Sequence, residues 1–220
     1  MELFTGYGLD YLVRWLHMLA GVTWIGLLYY FNFVQTEYFK EAEDAHKSGA
    51  IQKLVPRALW WFRWGAMITF LSGVALLAYR HQAISYDITV GALLGTLMFL
   101  NVWLIIWPNQ KVVVASAVQV AEGGEALAEA AGSLAKAGLA SRTNTMFSLP
   151  MLFFMGSSAH LPHGLLIDAS TVALGIIILL ILALEGNAIF GKQGPMTTVR
   201  GVIHCGVGLT VLLYCIMVFL

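Results

Sequence analysis

The sequence predicts an all-α, polytopic membrane bundle of about six transmembrane helices, with both termini outside. Three observations carry this. Of 220 residues, 59% are hydrophobic and only 11% are charged, whereas a soluble domain of this size carries about 25% charged residues. The apolar residues fall in long runs, near the ~20 residues that cross a bilayer at 1.5 Å per residue. Each run is continuous rather than alternating, which is the pattern of helices and not of barrel strands.

The chain reads as one transmembrane domain over 1–220. Six spans are expected near Tyr11–Phe33, Leu59–Tyr79, Ile88–Trp107, Thr145–Leu161, Ala169–Ala188 and Thr198–Leu220. The fourth is the shortest. Two loops are long. The first, 36–56, mixes acids and bases and is expected to carry the first helix out of the membrane as a salt-bridged extension. The second, 111–141, reads as a helix, a break at Gly123-Gly124, and a short amphipathic helix. Trp60, Trp61 and Trp64 flank the second span and Trp103 and Trp107 close the third, as an aromatic belt requires. Gly91 and Gly95 have the small-xxx-small spacing of close helix contacts.

Basic residues set the orientation. Lys40, Lys47, Lys53, Arg57, Lys111, Lys136, Arg142, Lys192 and Arg200 fall on the side away from the N-terminus, with Arg63 just inside it. Only Arg14 and Arg80 fall on the N-terminal side. Positive charge stays cytoplasmic, so both ends are expected outside. A bacterial inner (cytoplasmic) membrane is the expected location. The first apolar run is too long for a cleaved signal peptide, so none is expected. A net charge of zero gives no reason to expect nucleic acid as a partner. Cys205 and Cys215 lack CxxC spacing and lie about 15 Å apart along one helix, so no disulfide is expected. No phosphate loop, catalytic triad or zinc motif is present.

The polar residues inside the spans are the candidates for function, because an ionisable group in hydrocarbon is costly unless paired or bound. His17 lies roughly 10 Å from the outer face. His160 ends the fourth span at comparable depth, with His163 just beyond it, and His81 ends the second span. His204 belongs to the inner third, and His46 to a charged loop. Haem iron takes imidazole from facing helices at one depth; His17 and His160 meet that condition, while His204 is a candidate for a second haem. The plainer alternative is that each histidine hydrogen-bonds a carbonyl or a serine on a neighbouring helix. Arg14, one turn from His17, is placed to neutralise a haem propionate or to reach lipid phosphates. Arg63 and Glu185 lie at similar depth in the inner half. They are the candidate catalytic residues, or else an ion pair that locks two helices. Met146, Met151 and Met155 read as core filling in preference to Cu(I) ligands.

Three stretches together are more specific than any one residue: RWLHMLAGVTWIG from Arg14, NVWLIIWPNQK from Asn101 to Lys111, and SRTNTMFSLPMLFFM followed by His160. The chain resembles the membrane domain of the bacterial membrane-bound urate oxidase (urate hydroxylase) family. It is more distantly similar to membrane haem and copper-resistance proteins. The family resemblance implies a membrane oxidoreductase that passes electrons from urate or a related substrate to a cytochrome c, with one b-type haem or two. The family's usual members continue into a cytochrome c domain. No CxxCH occurs before Leu220, so a c-type haem is expected on another polypeptide. Two other readings remain at this stage. One is an accessory subunit of a larger respiratory or photosynthetic membrane complex. The other is a solute or metal carrier, against which no pair of interrupted helices is evident.

Overall fold

The computed structural model describes residues 2–79 and 83–220; Arg80 and the candidate His81 lie outside the described residues. Among the described residues there are seven helices and no strand: α1 Gly6–Glu41, α2 Asp44–Lys53, α3 Val55–Tyr79, α4 Tyr86–Ala121, α5 Ala130–His160, α6 Thr171–Phe190 and α7 Val199–Phe219. Helices α1, α3, α4, α6 and α7 are long and apolar enough to cross a membrane. Four helices start on a hydroxyl cap: Thr5, Ser85, Ser170 and Thr198 each accept from an amide three residues on. That satisfies one of the amides a helix start leaves without an intrahelical acceptor.

The five apolar helices coincide with five of the six expected spans. The fourth span differs. Thr145–Leu161 is the C-terminal half of α5, which runs unbroken for 31 residues. The break at Gly123 is real, with φ +90°, but the amphipathic stretch that follows is not a separate helix. It is the start of α5. This helix is the least apolar of the long ones because it is the most enclosed. Every residue from Arg142 to Ser148 is buried. A helix walled in by protein needs no lipophilic surface, so hydropathy under-reads it.

Around α5 pack α4, α7 and α6, with α1 touching it at one end. Helices α1 and α3 form a long antiparallel pair. Glycines allow the closest approaches. A Cβ on Gly91 of α4 would lie 3.0 Å from Met155 Cγ and 3.2 Å from Met155 N on α5, which bears out the small-residue contact expected there. Pro150 supplies no amide to the Met146 carbonyl one turn earlier. Gly206 of α7 packs on that carbonyl, and its added Cβ would stand 3.0 Å from the oxygen. Met146 and Met151 are buried in the core, as filling.

Two helices are locally unwound. α1 holds a π-helical turn over Tyr30–Gln35 and α4 another over Asn101–Ile106. Such turns insert a residue and re-aim side chains, often near functional sites. Here each contains a buried asparagine, Asn32 or Asn101, turned toward α5.

Gly91→Leu is expected to overpack the α4–α5 contact by about 1–3 kcal/mol and lower the melting temperature by several degrees. Gly175→Leu, where an added Cβ meets nothing within 4 Å, is expected to leave it unchanged. A thermal-unfolding scan of the two detergent-purified variants checks this.

Candidate functional site

Three polar constellations sit within the bundle, and the structure distributes the expected residues among them.

The first surrounds His17. Its Nδ1 lies 3.1 Å from Ser72 Oγ on α3. The Ser72 hydroxyl is within 2.6 Å of the Ile68 carbonyl and 3.0 Å of that of Thr69, so its hydrogen is committed within α3. The serine oxygen can accept from His17 Nδ1–H, and the ring has the Thr69 carbonyl as a second partner on α3. Gly73 makes room for the ring: a Cβ there would lie 3.1 Å from His17 Cε1. The serine partner expected as the plainer alternative is thus present. The buried residues of α1 and α3 end near Ala20 and Ser72, apart from Gly8, so His17 stands at the rim of the core. Beyond it Tyr11, Trp15, Leu71 and Val74 are exposed.

His160 is exposed at the C-terminal end of α5, while His17 packs against α3. His204 is exposed on α7. Arg14 does not stand free: it makes a bidentate pair with Asp10 at 2.6 and 2.9 Å, one turn earlier on the same helix. Among the described residues no cluster of three or more His, Cys, Asp or Glu is placed to hold a metal ion.

The second constellation lies where α4 begins and α5 ends. Asp87 is fully buried, 0% exposed. It accepts from Ser157 Oγ at 2.6 Å, from the His163 amide at 2.8 Å, and lies 2.7 Å from His163 Nδ1. The His163 ring meets Tyr214 of α7 edge-on. Beside it Ser85 and Leu165 form an antiparallel bridge. One carboxylate thus ties the start of α4, the end of α5 and the loop after it. Sequence reading had placed Asp87 in a loop. The usable signal was an acid opening a span, where a helix N-terminus favours negative charge.

The third lies in the core. Asn101 Nδ2 donates to Asn144 Oδ1 at 2.9 Å and to Glu185 Oε2 at 3.1 Å. Asn144 Nδ2 donates to the Met98 carbonyl at 2.9 Å. Farther along α5, Asn32 donates to Ser141 and Tyr29 shares a hydrogen bond with Ser148. Arg142, 4% exposed, was counted from the sequence only as a basic residue, yet it is buried with Nη1 lacking a hydrogen-bond partner. Arg63 and Glu185 do not pair. The ion pairs among the described residues are Arg14–Asp10, Lys40–Glu37 and His163–Asp87. Equal depth did not mean equal direction: Glu185 faces the Asn101 amide, while the Arg63 guanidinium stacks on Trp107 at 3.9 Å.

Comparison with known proteins adds one finding. A family model described as urate oxidase N-terminal matches residues 82–217, more than half of the chain. It covers α4 to α7 and leaves α1 and α3 outside the match. No curated protein and no solved structure matches.

Asp87→Ala is expected to strand the donors of Ser157 and His163, at about 2 kcal/mol. Limited proteolysis should then cut the 161–169 loop at least about tenfold faster than in the parent chain.

Proposed function

The chain belongs to the urate oxidase N-terminal family, and from that premise we propose that it is the membrane domain of an oxidoreductase that carries electrons from urate or a related purine to a cytochrome c. Its apolar helices fit a lipid bilayer, and we place it in the inner membrane of a bacterium. The observation that carries the redox reading is the His17 imidazole, held by Ser72 within the α1–α3 pair and lodged over Gly73. The donor fits a b-type haem, which would supply one-electron redox chemistry.

The chain's own residues do the rest. Ser72 holds the imidazole in one orientation. His17 would ligate the iron near the outer face, on the side where a cytochrome c would dock. Oxidation of a purine releases protons along with electrons. Glu185, held by Asn101 in the inner half, is the proton acceptor in this reading. Asn101 and Asn144 orient it.

The accessory-subunit reading has its own support. The groove between α1 and α3 toward their Gly6 and Tyr79 ends, lined by Leu9, Asp10, Val13, Ala75 and Leu76 and not by His17, measures about 190 Å³, below the ~300 Å³ at which enclosed cofactor sites begin. A larger membrane complex covering the exposed outer halves of α1 and α3 would complete it.

Purified protein should show a Soret band that shifts on reduction and disappears in His17→Ala, while Ser72→Ala keeps the band with an altered midpoint potential. A colourless, folded wild-type protein would end the haem reading. Urate added to the oxidised protein should reduce the haem, at a rate that falls at least about tenfold in Glu185→Gln. Reduction that is absent in the parent chain would remove urate as the substrate.

A further inference from the structure

The inner end of the α3–α4 seam holds a charge arrangement that neither the haem site nor the Glu185 network uses. The Arg63 guanidinium lies 3.9 Å from the Trp107 ring centre, and 5.8 Å from those of Trp64 and Trp103. Lys111, one turn beyond Trp107 on α4, holds its Nζ 5.6 Å from that same ring. Two cations therefore share one indole, and among the described residues neither has a carboxylate partner. Arg63 Nε and the Trp103 indole N–H are both buried without an acceptor. Buried donors are normally satisfied, and a charged one without a partner is the costliest kind.

The Arg63 head lies over the Trp107 ring with Nε buried, while the residue as a whole is half-exposed. An anion at the mouth of the seam would offset both positive charges. The surroundings say what the anion is attached to. Trp60, Trp61 and Trp64 are 47%, 60% and 38% exposed on the same helix. Exposed tryptophans mark the level where headgroups meet acyl chains, so acyl chains have a surface to lie on beside the charges. Basic pockets between helices at the cytoplasmic interface suit anionic headgroups.

We propose that Arg63, Lys111, Trp103 and Trp107 form a binding site for the phosphate of an anionic phospholipid at the inner end of the α3–α4 seam. The bound lipid bridges the α1–α3 pair to the α4–α7 bundle. The site is independent of the redox reading and stands or falls without it.

The test is a titration of the detergent-purified full chain with phosphatidylglycerol, with phosphatidylcholine and with inorganic phosphate. Bound lipid is counted by native mass spectrometry and stability by thermal shift. Phosphatidylglycerol should bind at least about tenfold more tightly than phosphatidylcholine and raise the melting temperature. Lys111→Gln, at an exposed position that folding does not depend on, should weaken it about fivefold. Arg63→Lys keeps the charge but loses the guanidinium contact with the Trp107 ring, and should weaken it as much or more. Arg57→Gln, elsewhere on the same basic end, should change nothing. Equal binding of phosphatidylcholine, unchanged affinity in both Lys111→Gln and Arg63→Lys, or inorganic phosphate matching phosphatidylglycerol would each overturn the proposal.

Discussion

Hydrocarbon offers no hydrogen bonds, so each polar group that enters it must find a partner inside the protein or cost several kcal/mol. Helix α5 brings Arg142, Thr143, Asn144, Thr145 and Ser148 into the bundle in one stretch, all buried. The rest of the architecture answers that stretch. Tyr29 and Asn32 reach it from α1, and Asn101 from α4, where it also holds Glu185 of α6. The π-turns of α1 and α4 fall where these asparagines must turn inward. Threonines satisfy themselves locally: Thr143 donates to the Leu139 carbonyl and Thr145 to that of Ser141. The bundle is apolar outside and carries a band of polar groups through a largely apolar core.

This arrangement separates the molecule into two parts with different tasks. Helices α4 to α7, the part that the family match covers, enclose the asparagine–glutamate network and are closed by Asp87 where α4 begins and α5 ends. The α1–α3 pair joins them mainly through its inner half. Its outer half runs past the core, and His17 sits where the two diverge. The imidazole there is half-buried and held by Ser72.

Much of the fold was legible in the sequence, because span length is a property of single segments. The five apolar helices, the break at Gly123 and the Gly91 contact followed from runs, turn chemistry and spacing. What failed had a common cause. Hydropathy measures what a helix would show to lipid, and α5 shows lipid little, so its inner half read as loop. Depth along a helix was readable, but direction around it was not. Arg63 and Glu185 shared a level and faced different neighbours, and the same holds for His17, which turned to α3, and His160, which is exposed. Asp87 was missed because a carboxylate beside a span reads as loop until its partners, Ser157 and His163, arrive from far along the chain.

The central claim is that α5 crosses the bilayer although its own composition argues against it. Single-cysteine labelling tests this most directly, in a Cys205→Ser, Cys215→Ser background. Lys136 and Leu161 are both exposed, near opposite ends of α5. A membrane-impermeant maleimide should label Leu161→Cys in intact cells, and Lys136→Cys only after the membrane is opened. Labelling of both positions from the same side would show that α5 does not cross, and the polar core built around it would have no place in the membrane.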